Sequence, residues 1–103
     1  MDNERLTAVL DSIPRGSWAS YADVVLAAGG TMAQARALNQ RLGRLGHKHA
    51  HRVLKGDGTI AATALGDPDA VRRKLKREGV RFEKGRAAAA ARLRPGPASA
   101  LSV

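Results

Sequence analysis

Residues 20–45 of this chain read SYADVVLAAGGTMAQARALNQRLGRL, and this stretch contains the strongest structural signal in the sequence. Ser20 and Asp23 match a capping box, which predicts that a helix begins directly after Ser20. Gly29-Gly30 interrupts the helical pattern, and a second helix is predicted over residues 32–45. Two short helices that are joined by a glycine-containing turn are typical of a helix-turn-helix.

The second helix of this pair has an apolar face and a polar face. The apolar face recurs at helical spacing and comprises Ala35, Leu38, Leu42 and Leu45. The polar face carries small, basic and amide side chains, which are Ala33, Arg36, Ala37, Gln40 and Arg44. Small residues among basic ones let a backbone approach phosphates closely, so we expect this face and the capping residue Thr31 to contact DNA. An ordinary solvated helix surface is the alternative.

The remaining elements are predicted on both sides of this pair. Residues 3–13 have the spacing of an amphipathic helix. Gly56-Asp57-Gly58 is strong turn chemistry between two short apolar runs and predicts a hairpin wing over residues 52–61. Asp67 and the proline after it begin a helix that is predicted to end near Arg77.

These elements together predict a mainly α fold with a small β-hairpin wing, which is a winged helix-turn-helix. Residues 1–84 are predicted to form this domain. Residues 85–103 are rich in alanine, arginine and proline and lack an apolar stripe, so we predict a flexible basic tail there.

The charge of the chain favours a polyanionic partner. The 103 residues suffice for one small domain, and 18 Lys and Arg against 9 Asp and Glu give a formal net charge of +9. Ten of the 18 basic residues lie between Arg72 and Arg94. This density favours nucleic acid over a merely solubilising surface, because neutralising phosphates releases counterions. The sequence contains neither a secretory signal pattern nor an apolar run of membrane-spanning length, so we expect a cytoplasmic, nucleoid-associated protein without a membrane partner.

A stretch that is rich in histidine follows the second helix. His47, His49 and His51 alternate with other residues, and the chain contains no cysteine. Three histidines so close together can suggest a metal site, but no distant fourth ligand is evident in the sequence. We expect neither a metal nor another cofactor.

The residues His49-Ala50-His51-Arg52-Val53 resemble the Pro-Cys-His-Arg-Val active-site motif of the O6-alkylguanine-DNA alkyltransferases, with Ala50 in place of the nucleophilic cysteine. Other landmarks follow in the family order, and they are Ile13-Pro14-Arg15-Gly16, Ser20-Tyr21-Ala22-Asp23-Val24, Ala28-Gly29, Ala35-Arg36-Ala37, Asp57-Gly58 and Glu78-Gly79-Val80. The resemblance spans residues 6–83. Family members that lack the cysteine are called alkyltransferase-like proteins. Cysteine-dependent alkyl transfer is excluded by composition, because a thiolate is the attacking species.

The resemblance implies a role for several residues in binding the minor groove of DNA and flipping a damaged guanine out of the helix. Arg36 resembles the arginine finger that replaces the extruded base, and an ordinary phosphate contact is the alternative. Tyr21 resembles the tyrosine that pushes on the 3′ phosphate, and a core aromatic residue is the alternative. His51 and Glu78 resemble the pair that activates the thiol through water, while Arg52 resembles a structural arginine behind the site.

The resemblance also implies a pocket for the lesion. Its expected lining comprises Tyr21, His49, Ala50, His51, Arg52, Ile60 and Thr63. His49 replaces the proline of the motif, Thr63 replaces a pocket tyrosine, and the small side chain of Ala50 leaves room for a larger adduct. The link between the second helix and the motif is short.

Three functions are compatible with these features. The first is a sensor that binds double-stranded DNA with O6-alkylguanine, flips the damaged base without transferring the alkyl group, and flags it for nucleotide excision repair proteins. The second is a repair enzyme, a glycosylase or a hydrolase, that uses His49, His51 or Glu78 as an acid or base. The third is a winged helix that binds DNA regardless of damage. We favour the non-enzymatic sensor, and we expect it to be a monomer.

Overall fold

Four α-helices and two pairs of short strands make up residues 1–96, the part of the chain that this computed structural model describes. The helices are α1 (Asn3–Asp11), α2 (Tyr21–Ala27), α3 (Ala35–Leu45) and α4 (Pro68–Arg77), and the strands are β1 (Ala19–Ser20), β2 (Val53–Leu54), β3 (Phe82–Glu83) and β4 (Arg86–Ala87). Single 3₁₀ turns cover Met32–Gln34, Ala50–Arg52, Ala64–Gly66 and Ala89–Ala91. This mainly helical architecture with one small antiparallel strand pair confirms the predicted fold class. No helix within residues 1–96 has the length and apolar character needed to cross a membrane.

The predicted caps fix the helix-turn-helix. The Asp23 backbone N–H donates to Ser20 Oγ at 3.0 Å, and the Ser20 N–H donates to the Asp23 carboxylate at 3.2 Å. The Gln34 side chain accepts from the Thr31 N–H at 2.8 Å, at the 3₁₀ turn that leads into α3. Gly30 is required between the helices, since a Cβ there would lie 2.8 Å from a Val25 methyl carbon.

Strand β2 separates two apolar clusters. The first cluster joins α1, α2 and α3, and its largest members are Leu6, Leu10, Ile13, Leu38 and Leu42. The second cluster packs α4 against the residue before β1, against β2 and against the segments on both sides of α4. Its members are Trp18, Leu54, Ala64, Val71, Leu75, Val80 and Ala87. Val53 belongs to the first cluster and Leu54 to the second, because successive side chains of a strand point to opposite sides.

The strand pairing differs from the sequence prediction. The hairpin predicted over residues 52–61 is wrong, because β2 pairs in parallel with β1, with Ala19 opposite Val53. Only the turn remains, where the Lys55 N–H donates to Thr59 O at 3.0 Å. The antiparallel pair is β3 with β4, with Phe82 opposite Ala87. Both residues of β2 are buried, and this is typical of a strand inside the core rather than of an exposed wing.

Residues 86–93 pack against the domain, whereas the sequence predicted a flexible tail from residue 85. Trp18 is the anchor, because its indole N–H donates to Ala88 O at 2.9 Å and its backbone N–H donates to Ala91 O at 3.1 Å. The Arg92 guanidinium lies 5.6 Å from the centroid of the Trp18 ring and 3.0 Å from the Asp23 carboxylate. The missed contacts are mostly made by the backbone, which leaves no apolar pattern in the sequence. Residues 97–103 of the predicted tail lie outside the described residues.

We predict that a chain ending at Lys84 is less stable than one ending at Gly96. The shorter chain exposes Trp18 and leaves its indole N–H without Ala88 O, so the free energy of unfolding should fall by about 2–4 kcal/mol. Urea denaturation of both chains and of the full chain measures this loss. Equal stability of the two shortened chains would contradict the packing of residues 86–93.

Candidate nucleic-acid interface

An open cavity of about 530 Å³ lies beside the polar face of α3. Its walls come from the start of α2, from α3 and from the segment between residues 55 and 63. The lining residues are Tyr21, Ala35, Arg36, Ala37, Asn39, Gln40, Lys55, Ala61 and Thr63. Arg36 and Lys55 are the charged members of this lining, so the cavity favours an electronegative ligand.

Some of the predicted DNA-binding residues and some of the predicted lesion-pocket residues line the cavity. Tyr21, Arg36, Ala37 and Gln40 of the predicted DNA-binding residues line it. The other predicted DNA-binding residues, Thr31, Ala33 and Arg44, are exposed but are not part of the lining. The predicted lesion-pocket residues Tyr21 and Thr63 line the cavity, whereas His49, Ala50, His51, Arg52 and Ile60 do not.

Asn39 is a cavity residue that the sequence analysis missed. Its amide nitrogen donates to Thr63 O at 3.0 Å and to Thr63 Oγ1 at 3.2 Å, and its carbonyl oxygen accepts from the Leu65 N–H at 3.3 Å. The Tyr21 hydroxyl lies 3.5 Å from the same oxygen. Leu65 has a φ of 51°, a left-handed conformation that costs free energy for a branched side chain. Asn39 therefore ties α3 to Thr63, which lines the cavity, and to the strained turn that follows Thr63.

Burial raises the pKa of the Tyr21 hydroxyl above its ordinary value. The hydroxyl consequently stays protonated at neutral pH and can donate a hydrogen bond. A neutral hydroxyl on a residue that lines the cavity does not repel a phosphate, which a phenolate would do.

His51, Arg52 and Glu78 form a cluster in the core, outside the cavity. Arg52 donates from Nε to Glu78 Oε1 at 3.0 Å and from Nη2 to Oε2 at 2.9 Å, which is a two-pronged ion pair. His51 Nε2 lies 2.9 Å from Glu78 Oε2, and Arg52 Nη1 donates to Ile13 O at 2.8 Å. His51 and Arg52 are only 6% and 7% exposed. The cluster joins the ends of α1 and α4 to the Ala50–Arg52 turn.

The protonation states within this cluster follow from its hydrogen bonds. Burial alone would raise the pKa of Glu78, but the hydrogen bonds from Arg52 and His51, together with the charge of Arg52, outweigh burial and lower it to about 2. An ionised carboxylate only accepts hydrogen bonds, so His51 carries a proton on Nε2. Burial lowers the pKa of His51, although Glu78 opposes the shift, and the ring is neutral at neutral pH.

Ala50, which stands where the resembling motif has its cysteine, is also part of the core. Ala50 is 4% exposed and belongs to the cluster formed by α1, α2 and α3. Its methyl group is enclosed by apolar side chains, so this position contributes packing in the folded chain.

His47 and His49 contact α1, and hydrogen bonds involve three of their four ring nitrogens, both of His47 and Nδ1 of His49. His49 Nδ1 donates to Leu10 O at 2.8 Å, and the His49 backbone N–H donates to His47 Nδ1 at 2.9 Å. His47 must then carry its proton on Nε2, which lies 2.7 Å from the Asp11 carboxylate. Asp11, His47 and His49 have potential ligand atoms within 4.8 Å of one another. A metal on His47 Nε2 would displace the proton there, and His47 Nδ1 could then no longer accept from the His49 N–H in a neutral ring, so the hydrogen bonds of His47 disfavour it as a ligand.

We predict that Asn39→Ala loosens the cavity wall. Loss of its bonds to Thr63 and Leu65 should lower the free energy of unfolding by about 1–2 kcal/mol. The amide hydrogen of Leu65 should also exchange faster, as measured by NMR. Gln40→Ala, on the neighbouring exposed position of α3, is the control. Unchanged exchange at Leu65 would show that Asn39 does not hold the turn.

We predict that Glu78→Gln destabilises the fold by about 2–4 kcal/mol at neutral pH, because Arg52 stays buried without a counter-charge. The folded-state pKa of about 2 lies below the ordinary value of 4.5, so the stabilisation by ionised Glu78 is complete above about pH 4.5. It is lost as the pH falls towards 2, and the two proteins should become more similar in stability there. Urea unfolding across this range measures the difference, with exposed Glu83→Gln as the control. A difference that is independent of pH would exclude ionised Glu78 as its source.

Comparison with known proteins places this geometry in context. The chain matches, over residues 2–80, the family model described as the DNA-binding domain of 6-O-methylguanine DNA methyltransferase. The crystal structure of S. pombe Atl1 in complex with damaged DNA containing O6-carboxymethylguanine has a similar fold, with a TM-score of 0.69 and 24% sequence identity. The similarity covers 92% of this chain and 99% of that chain. No curated protein matches the sequence significantly. The structural likeness confirms the predicted fold of the alkyltransferase type.

Proposed function

The chain belongs to the family defined by the DNA-binding domain of 6-O-methylguanine DNA methyltransferase, and from this premise we propose that it is a sensor of O6-alkylated guanine in double-stranded DNA. It binds the damaged base and does not transfer the alkyl group, since the chain contains no cysteine. The observation that carries this proposal is the cationic cavity beside the exposed polar face of α3. Its volume of about 530 Å³ lies within the roughly 300–1,000 Å³ of small-molecule sites.

Arg36 and Tyr21 are the residues that we assign to extrusion of the base. Arg36 is exposed on α3 and lines the cavity, where its planar guanidinium can occupy the space that a flipped guanine leaves in the stack. Tyr21 stands at the same cavity with a neutral hydroxyl that can contact a phosphate. The complex of S. pombe Atl1 with DNA containing O6-carboxymethylguanine supports a lesion of this class.

The bonding of the histidine and glutamate argues for binding rather than catalysis. Glu78 has a pKa of about 2 and is a poor general base, and both of its oxygens accept hydrogen bonds from Arg52. His51 donates to the same carboxylate and is buried. A repair enzyme that used His51 or Glu78 would require that group to leave the cluster and reach the base. We therefore propose that the protein holds the lesion in a complex and passes it to nucleotide excision repair. We also propose that the protein acts as a monomer in the cytoplasm.

A test for product separates the sensor from an enzyme. The protein is incubated in excess over a duplex containing O6-methylguanine, and the DNA and any released base are analysed by mass spectrometry. The sensor leaves the DNA unchanged while an anisotropy measurement shows that the duplex is bound. Released base or restored guanine would establish a glycosylase or a hydrolase instead.

We predict that Arg36→Ala weakens binding to a duplex with one O6-methylguanine by about 1–3 kcal/mol, because a stacking contact with the DNA is lost. Binding to the same duplex with guanine should change much less. Fluorescence anisotropy at near-physiological salt measures both affinities. The control is Arg44→Ala, which alters an exposed α3 residue outside the cavity and should weaken binding to both duplexes alike. If wild-type protein binds both duplexes equally, it is a winged helix that does not recognise damage.

A further inference from the structure

The cavity has a second cation besides Arg36, on a different wall. Lys55 lines the cavity from the segment that directly follows β2, whereas Arg36 belongs to α3. The lining includes no Asp or Glu. A ligand inside the cavity therefore meets positive charge both from the helix and from the segment after β2.

The backbone that carries Lys55 is firmly placed. The Lys55 N–H donates to Thr59 O at 3.0 Å, and the Gly58 N–H donates to Lys55 O at 2.8 Å. Gly58 O in turn accepts from the Ala87 N–H at 2.8 Å, which fastens the turn to β4. Gly58 has a φ of 85°, and a Cβ there would lie 2.8 Å from Ala87 O, so the close approach requires glycine.

The charge of Lys55 is available to a ligand. The nearby carboxylate of Asp57 accepts from the Thr59 N–H at 3.0 Å and from the Thr59 hydroxyl at 2.6 Å, within the turn itself. The ion pairs found within residues 1–96 do not include Lys55. A lysine that lines a cavity and whose ammonium group is bound to no carboxylate is suited to an anion in that cavity.

We propose that Lys55 determines specificity by favouring guanine adducts that end in a carboxylate over neutral alkyl adducts. This inference rests on the proposed function, because the adduct has to enter the cavity. A carboxylate there accepts a charge-assisted hydrogen bond from the ammonium group, whereas a methyl adduct offers no acceptor. A DNA phosphate is the other anion that Lys55 can meet, and it is present whichever adduct the DNA carries.

The experiment compares three otherwise identical duplexes that carry guanine, O6-methylguanine or O6-carboxymethylguanine. Fluorescence anisotropy gives the dissociation constant of the full chain for each duplex at near-physiological salt. We expect wild-type protein to prefer the carboxymethyl over the methyl duplex by on the order of 5- to 30-fold. Lys55→Gln should reduce this ratio to near 1, and Lys55→Arg should retain most of it. Lys84→Gln, which removes an exposed lysine in the turn between β3 and β4, is the matched control and should leave the ratio unchanged.

The other outcomes separate this inference from the proposed function. If Lys55→Gln weakens binding to all three duplexes by the same factor, Lys55 contacts a phosphate, and the inference is overturned while the lesion sensor stands. A wild-type protein that binds both lesions tightly without distinguishing them overturns the inference alone. Equal binding of all three duplexes overturns the proposed function and the inference with it.

Discussion

The carboxylate of Glu78 is the contact that joins the ends of α1 and α4 to the Ala50–Arg52 turn. It accepts from Arg52 through both oxygens and from His51 through one, and Arg52 also reaches the carbonyl of Ile13 at the end of α1. Three segments that are distant in sequence are thereby joined beside β2, the strand that separates the two apolar clusters. Burying these charges is costly, and the cost is offset only because each charged group has its partners in place.

Because Glu78 is bonded within the core, the residues that hold the fold together are separate from those that line the cavity. The residues that resemble catalytic groups, His51 and Glu78, are bonded to each other and to Arg52 in the core. The cavity beside α3 instead offers cations, an amide and a neutral tyrosine hydroxyl. These groups can recognise a ligand by charge and hydrogen bonding, whereas His49, His51 and Glu78, the candidates for acid–base catalysis, do not line the cavity. The distribution of residues thus supports binding of a lesion more strongly than its removal.

Local signals explain what could be predicted from the sequence. Capping residues such as Ser20 and Asp67 interact within three residues, so the starts of α2 and α4 were predictable. The partner of β2 was not, because parallel pairing with β1 joins residues more than thirty positions apart. The packing of residues 86–93 on Trp18 was missed since backbone groups make most of the contacts. Asn39 and Lys55 entered the candidate site only through tertiary packing, although Tyr21, Arg36 and Thr63 were predicted.

The burial of Ala50 explains how such a domain can lack a thiol and keep its fold. The methyl group packs among the side chains of α1, α2 and α3, whereas the neighbouring His51 and Arg52 bond to Glu78 on the other side of the turn. A change at residue 50 alters packing in one apolar cluster and leaves the ion pairs intact. Arg52, by contrast, cannot be lost without removing the hydrogen-bond partner of Glu78 Oε1 and of the Ile13 carbonyl. The histidine and the glutamate that resemble catalytic residues therefore have a structural role in this fold.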